Sequence, residues 1–201
     1  SKNGWQMTKP VTAKGDPIVI STFLSFLSDL NFSRIVEKSA KNLDTFGLHA
    51  PTLKIIISTK SGKTKGIQVG DDHPIGNKIY LTRLNEDKVF TVDISRDRLN
   101  RQAYDLRDKT ILDFETSQIK KIELIINGKK LVFEKTEKSW HLSEEKTTAK
   151  GDENKIINFL NTIKTAKIKR FMEEHPEELN SFGLDNPKLV VKLTEQDRNN
   201  F

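Results

Sequence analysis

Residues 12–16 read TAKGD, and the same five letters return at residues 148–152. The similarity extends without a gap from residues 12–57 to residues 148–193, a constant offset of 136, and 16 of the 46 aligned pairs are identical. Internal similarity of this length predicts a structural unit that occurs twice in the chain. The residues that the two copies share therefore predict the fold.

Each copy of this stretch leads into the pattern of an amphipathic helix. Asp16 and Asp152 are expected to be helix N-caps, because a carboxylate accepts hydrogen bonds from the free amides of the first turn. Apolar residues then recur at i, i+3, i+4 and i+7, which gives each helix one apolar stripe. The stripes consist of Ile20, Phe23, Leu24 and Leu27 in the first copy, and of Ile156, Phe159, Leu160 and Ile163 in the second.

A second shared motif predicts a tight turn after each helix. Residues 46–48 and residues 182–184 both read FGL, and a proline follows three residues later in each copy. We expect Gly47 and Gly183 to adopt the left-handed conformation that ends a short helical turn in a Schellman motif. The proline favours an extended residue before it and leads into a strand.

The remaining patterns predict mainly strands. Asn127 and Gly128 supply the two positive φ angles of a type I′ turn, so residues 122–134 are predicted to form a β-hairpin. A third strand, at residues 139–142, contains Trp140. Further strands are predicted at residues 32–36, 53–58, 66–69, 78–82, 89–93 and 168–172, and a second helix at residues 97–107.

Together these patterns predict an α+β fold, with a repeated unit of mainly antiparallel strands and an amphipathic helix packed on the sheet. Residues 1–115 are the expected first unit, with its N-terminal hairpin missing. Residues 116–201 are the expected start of a second unit, truncated so that its C-terminal part is missing. Trp5 and Trp140 occupy related positions, and each is expected to anchor the core of its own unit.

Composition limits the classes of function. The net charge of +6 arises from 34 basic residues interleaved with 28 acidic ones, which is typical of a mixed, solvated surface. Nucleic-acid binders usually gather their positive charge on one element. The absence of cysteine excludes disulfides, thiolate metal sites and cysteine nucleophiles. No apolar run approaches the ~20 residues that a transmembrane helix needs.

Few residues suggest a catalytic or metal site. Residues 61–64 read SGKT, but Ile57 stands where a phosphate-binding loop needs glycine, and the loop joins two strands. Asp71, Asp72 and His73 could offer oxygen and imidazole ligands to a metal, although an exposed loop explains them equally well. We therefore expect no catalytic, cofactor-binding or metal-binding residues, and a protein that is not an enzyme.

Several of these elements together resemble a known family. They are the Trp5 strand, the helix with Phe23 and Leu24, the turn at residues 46–51, and LRDKTIL at residues 106–112. The family is the bacterial one catalogued as domain of unknown function (DUF) 4340, and the resemblance covers nearly the whole chain. It implies repeats outside the cytoplasm, anchored by an N-terminal membrane segment or lipid upstream of residue 1. It also implies envelope partners, including ABC-transporter components of the gliding-motility type, and no catalytic residues.

The expected function is a non-enzymatic extracytoplasmic module, a scaffold or binding component of a bacterial envelope or ABC-transporter-associated complex. Two alternatives stay open. One is a hydrolase with a site near Asp71, Asp72 and His73, which a deep pocket joining these residues to another titratable group would support. The other is a basic nucleic-acid-binding protein, whose affinity would fall steeply with salt. Any functional surface is expected where the two copies differ, as in the loop at residues 71–76.

Overall fold

A computed structural model describes residues 4–137, 139–144 and 147–196, and it divides the chain into two compact units, Ser1–Asp108 and Lys109–Phe201. The described residues form three α-helices and two five-stranded antiparallel sheets, together with one two-stranded sheet. The predicted α+β class with antiparallel pairing is therefore confirmed. No α-helix in the described ranges has both the length and the apolar character needed to cross a bilayer.

The first unit is built around one five-stranded sheet and a separate two-stranded pair. Its strands and helices are β1 (Gln6–Met7), β2 (Ala13–Lys14), α1 (Pro17–Ser28), β3 (Arg34–Glu37), β4 (Leu53–Ser58), β5 (Thr64–Asp72), β6 (Ile79–Arg83), β7 (Val89–Val92) and α2 (Ala103–Leu106). The strand order of the sheet is β3-β7-β6-β5-β4, and the separate pair is β1-β2. All these strand pairs are antiparallel.

Helix α1 begins as its sequence predicts. The carboxylate of Asp16 accepts hydrogen bonds from the amides of Ile18 and Val19, at 2.9 and 3.0 Å, and Pro17 is the first helical residue. The helix packs through Phe26 and Leu27 on the core of the sheet. That core consists of Val69, Ile79, Leu81, Phe90, Val92, Ile94 and Leu99, all 7% exposed or less.

The second unit also contains a five-stranded antiparallel sheet. Its strands and helix are β8 (Ile119–Ile126), β9 (Lys129–Lys135), β10 (Trp140–Glu144), β11 (Thr147–Lys150), α3 (Glu153–Thr165) and β12 (Leu189–Glu195). The strand order is β11-β10-β9-β8-β12. The predicted hairpin is confirmed, because Asn127 and Gly128 join β8 to β9 with φ angles of 49° and 83°.

Helix α3 packs its predicted stripe on this sheet. Asp152 caps the helix by accepting from the amide of Lys155 at 3.1 Å. Ile156 and Leu160 are buried, and Phe159 and Ile163 pack against the same cluster. The other members of the cluster are Phe114, Ile119, Ile122 and Trp140 in its centre, with Leu124, Phe133 and Leu193 at its border.

Two predicted elements are wrong. The helix expected at residues 97–107 is replaced by a 3-10 turn at Arg96–Arg98 and the single turn of α2. The cause is a capping box, in which the carboxylate of Asp105 accepts from the amide of Gln102 at 2.8 Å and starts a new helix there. The strand expected at residues 168–172 is not formed, and the chain makes only an isolated bridge between Lys167 and Thr110.

Candidate functional site

The acidic loop singled out in the sequence lies at the end of β5. Asp71 and Asp72 are exposed and are the last two residues of that strand, where the pairing with β6 shifts register between Val69 and Asp72. Asp72 pairs with Arg96, whose guanidinium nitrogen Nη2 lies 3.2 Å from Oδ1 and also donates to the carbonyl of Gly70 at 2.6 Å. Asp71 instead has its carboxylate close to Gly47.

His73 is held by the loop itself. Its Nδ1 accepts a hydrogen bond from the amide of Ile75 at 3.0 Å and lies 2.9 Å from the carbonyl of the same residue. The imidazole centroid is 5.2 Å from the ring of Tyr80, which in turn packs edge-on against Phe46. Asp71, Asp72 and His73 thus contact three different partners, Gly47, Arg96 and Ile75. This arrangement suits a structured loop more than a shared catalytic centre.

The other histidines lie apart from this loop in the sequence. His49 and His175 are exposed, and Nε2 of His141 is 3.0 Å from the hydroxyl of Ser139. In the part of the chain that the structure describes, no three histidine, aspartate or glutamate side chains come together in a way that could hold a metal ion.

The pKa of one exposed carboxylate, that of Asp93, is lowered by its neighbours. The hydroxyl of Ser33 donates to Asp93 at 2.6 Å, and the ammonium of Lys78 lies 3.0 Å from the other carboxylate oxygen. The hydrogen bond from Ser33, and then the bond and charge of Lys78, lower the pKa of Asp93 below its ordinary value of 3.8. The hydrogen bond between Ser33 and Asp93 ties the start of β3 to the end of β7.

An apolar groove, called here the β4 groove, lies in the first unit between α1 and the sheet. It encloses about 820 Å³. Leu24 and Leu27 of α1 line it, together with Ile55 and Ile57 of β4 and apolar residues of the neighbouring strands, Ile67, Leu81, Phe90 and Val92. The lining also includes the polar residues Thr59, Thr64, Lys65, Arg83 and Glu86. An apolar cleft lined by a few polar groups is the usual form of a binding site.

Two features leave this groove open. Strand β4 is the last strand of its sheet, so one of its edges has no strand beside it among the described residues. Helix α1 carries no charged side chain, yet none of its residues is buried. On the opposite face of β4, Ile56 is 58% exposed. An uncharged helix beside an open apolar strand edge is a surface that a soluble chain normally covers.

In the second unit, the strand and the helix aligned with β4 and α1 are covered by neighbouring strands. Strand β12 aligns with β4 at the offset of 136, and it pairs with β8 along its whole length. Ile156 and Leu160 of α3 are 6% and 1% exposed, whereas Ile20 and Leu24, the aligned residues of α1, are only half-buried. The side chains that cover α3 come largely from β8, β9 and β10.

The sequence pointed to the loop at residues 71–76 rather than to this groove. The signal that could have found it is the composition of α1, where residues 17–28 read PIVISTFLSFLS and contain more apolar positions than one stripe requires. Phe26 lies outside the predicted stripe but packs against the core of the sheet, whereas Ile20 and Leu24 of that stripe are half-buried. The prediction that Trp5 anchors a core is likewise wrong, since it is 47% exposed, while Trp140 is 2% exposed.

Comparison with protein families gives one match. The profile of the family described as domain of unknown function (DUF4340) matches residues 5–187, which is most of the chain. The chain belongs to this DUF4340 family. Neither a curated protein nor a solved structure matches the chain.

Proposed function

We propose that this DUF4340 protein is a non-catalytic binding module that works outside the cytoplasm, as a scaffold or binding component of a bacterial envelope complex that includes ABC-transporter proteins. The observation that carries the binding role is the β4 groove. An open strand edge beside an apolar cleft can accept an added strand through main-chain hydrogen bonds, while the cleft receives its side chains. The compartment and the partners follow the expectations drawn from the family resemblance.

The non-catalytic part of the proposal is supported by the loop at residues 71–76. Asp72 is paired with Arg96, and His73 is bonded to the backbone of Ile75. A hydrolase centred on these residues would need them to converge on one reacting atom within a pocket. Their contacts instead hold the end of β5 and the loop that follows.

We also propose that the two units derive from one duplicated unit. Their shared turns support this. Gly47 and Gly183 have φ and ψ angles of 66° and 23°, and of 67° and 24°. The amide of Gly15 donates to the carbonyl of Trp5 at 2.8 Å, and the amide of Gly151 donates to that of Trp140 at the same distance. The proposed duplication would make the two units related folds, of which the first leaves the β4 groove open while the second fills the aligned position with β8 and β9.

Affinity isolation from bacterial membranes tests the proposed function. The tagged full-length protein is cross-linked in the envelope of a bacterium that carries it, and the recovered proteins are identified by mass spectrometry. Ile57→Lys places a charge in the β4 groove, whereas Ile56→Lys places the same charge on the exposed opposite face. We expect envelope or transporter proteins with the wild type and Ile56→Lys, and their loss with Ile57→Lys.

Other outcomes count against the proposal. Recovery of cytosolic proteins alone would contradict the envelope role. Turnover of a chromogenic ester or phosphate that is abolished by His73→Ala would favour the hydrolase. Nucleic-acid binding that weakens steeply between low and moderate salt would favour the basic binder instead.

A further inference from the structure

We propose that the β4 groove receives a two-stranded β-hairpin with the pattern of β8 and β9, whose first strand pairs antiparallel with β4 and whose second strand pairs with β1. The inference deepens the proposed binding role by naming the kind of segment bound, and it does not depend on the compartment in which the protein works. It is carried by the arrangement of the second unit, where a hairpin occupies the aligned position.

The register of the added strand follows from the pairing of β12 with β8. Val191 lies opposite Leu124, and Leu193 lies opposite Ile122. Directly opposed residues of antiparallel strands share a face. The residues of β4 aligned with Val191 and Leu193 are Ile55 and Ile57, which both line the groove. A strand in the register of β8 would therefore direct an isoleucine and a leucine, or residues like them, into the groove.

The helix above the groove matches this occupant. In the second unit, Ile122, Leu124 and Phe133 of the hairpin pack in one cluster with Ile156 and Leu160 of α3. Helix α1 presents Ile20 and Leu24 at the aligned positions, both half-buried, with Leu24 lining the groove. Covering these side chains would stabilise the first unit by the burial of apolar surface.

The second strand of the hairpin has its own place beside β1. In the second unit, β9 pairs with β10, and Trp140 lies opposite Lys135. Strand β1 begins directly after Trp5, and β10 begins at Trp140. The two strands also pair in the same register, because Gln6 of β1 lies opposite Lys14 of β2, and His141 of β10 lies opposite Lys150 of β11. Trp5 is 47% exposed. The hairpin would thus join the β1-β2 pair to β4, as β8 and β9 join β10 to β12.

A hairpin fits this site better than a second copy of the chain. Within the described residues, both edges of β8 are paired, by β9 and β12, and both edges of β9 are paired, by β8 and β10. A second copy could lend these strands only by opening its own sheet. We therefore commit to a separate hairpin segment with branched aliphatic and aromatic side chains on one face.

The test uses the full 201-residue chain and a synthetic peptide with the sequence of residues 119–135. Acrylamide quenching reports on Trp5, because Trp140 is already buried. We expect the peptide to protect Trp5 from quenching. At a peptide concentration of about 100 times Kd, exchange of the β4 amides that face away from β5 should slow by about 100-fold. Ile57→Lys should abolish both effects, and Ile56→Lys should leave them intact.

A second version of the test avoids the use of an isolated hairpin, which is only marginally stable in water. The same segment, with its natural connection through residue 139, is fused directly before Trp5, so that the connection matches the one that precedes Trp140. We expect Trp5 to become protected in this fusion and the β4 amides to exchange slowly. If the fused hairpin changes neither, the proposal is overturned, even where the envelope partners are recovered in the affinity experiment.

Sedimentation velocity of the chain alone supplies the remaining outcome. The chain could form a dimer that Ile57→Lys dissociates and Ile56→Lys leaves intact. This result would mean that a second copy occupies the β4 groove, and it would overturn the hairpin proposal. A monomer whose Trp5 is protected only when the hairpin is supplied supports the proposal.

Discussion

The carbonyl oxygen of Phe46 lies directly over the α-carbon of Gly70, in the space that a Cβ at residue 70 would need. The side chain of Leu48 is also within 2.9 Å of that position. Gly70 is buried in β5, and its own carbonyl accepts from Arg96. The absence of a side chain here thus lets the FGL turn lie against the sheet.

We predict that Gly70→Ala destabilises the first unit strongly. The atom that would clash is a backbone carbonyl, which cannot rotate away as a side chain can, so the turn at residues 46–48 must move. Overpacking of this kind costs about 1–3 kcal/mol. Hydrogen exchange of the first-unit core amides measures the loss, and second-unit amides provide the internal control. Unchanged exchange in both units would show that the turn shifts at no cost.

A matched pair of glycines tests the closing turns. Gly47 and Gly183 share positive φ angles of 66° and 67°, but a Cβ at Gly47 would meet the carboxylate of Asp71, whereas nothing lies within 4 Å at Gly183. We predict that Gly183→Ala costs about 1–2 kcal/mol, the strain of a left-handed alanine. Gly47→Ala should cost more, by an amount that Asp71→Ala in the same chain partly restores. Exchange rates of the Leu48 and Leu184 amides measure both effects.

The two tryptophans should differ in how much each stabilises its own unit. Trp140 is 2% exposed at the centre of its cluster, so Trp140→Ala is predicted to cost about 3–5 kcal/mol in the second unit. Trp5 is 47% exposed, and Trp5→Ala should cost roughly 1 kcal/mol in the first unit because less apolar surface is lost. The amides of each unit are followed separately by hydrogen exchange, since two units need not unfold together. Equal losses would contradict the difference in burial.

Local backbone requirements explain which parts of the fold the sequence could predict. The turn at Asn127 and Gly128 and the closures at Gly47 and Gly183 depend on φ angles that few residues adopt, so a short motif is sufficient. The helix expected at residues 97–107 failed because the Gln102–Asp105 capping box starts a separate turn, a competing local signal within the apolar pattern.

Strand neighbours could not be predicted in this way. Residues 53–58 and their aligned partners in β12 look alike, but β4 pairs with β5 and β12 pairs with β8. Residues 32–36 and 168–172 also look alike. Only the first stretch has a partner, β7, and becomes β3, while the described residues of the second unit supply no strand for the other. Pairing depends on distant segments, which local similarity does not specify.

The same reasoning applies to the candidate site. Asp71, Asp72 and His73 are adjacent in the sequence, but the irregular end of β5 and the turn after it send their side chains to Gly47, Arg96 and Ile75. The β4 groove has no motif of its own. It exists because a strand edge and a helix face lack a neighbour, so only the arrangement of the sheet shows it.

Asp93 should make the stability of the first unit depend on pH in the acid range. The hydrogen bond from Ser33 and the ammonium of Lys78 lower the pKa of Asp93 below 3.8 in the folded protein. A carboxylate with a lowered pKa stabilises the fold at pH values above its unfolded pKa, and this contribution is lost as the pH falls through the folded pKa. We therefore predict that the wild type loses its advantage over Asp93→Asn as the pH falls below about 3.8.

Titration of the Asp93 carboxyl by NMR checks the cause. Ser33→Ala removes the donor of the 2.6 Å hydrogen bond, and Lys78→Met removes the charge at 3.0 Å, so each should raise the pKa of Asp93 toward 3.8. Ser33→Thr keeps a hydroxyl and should preserve the lowered pKa. If Ser33→Ala leaves the pKa unchanged, the hydroxyl does not bond to the carboxylate in solution. The tie between β3 and the end of β7 would then depend on Ser33 only through its amide, which donates to the carbonyl of Thr91 at 2.7 Å.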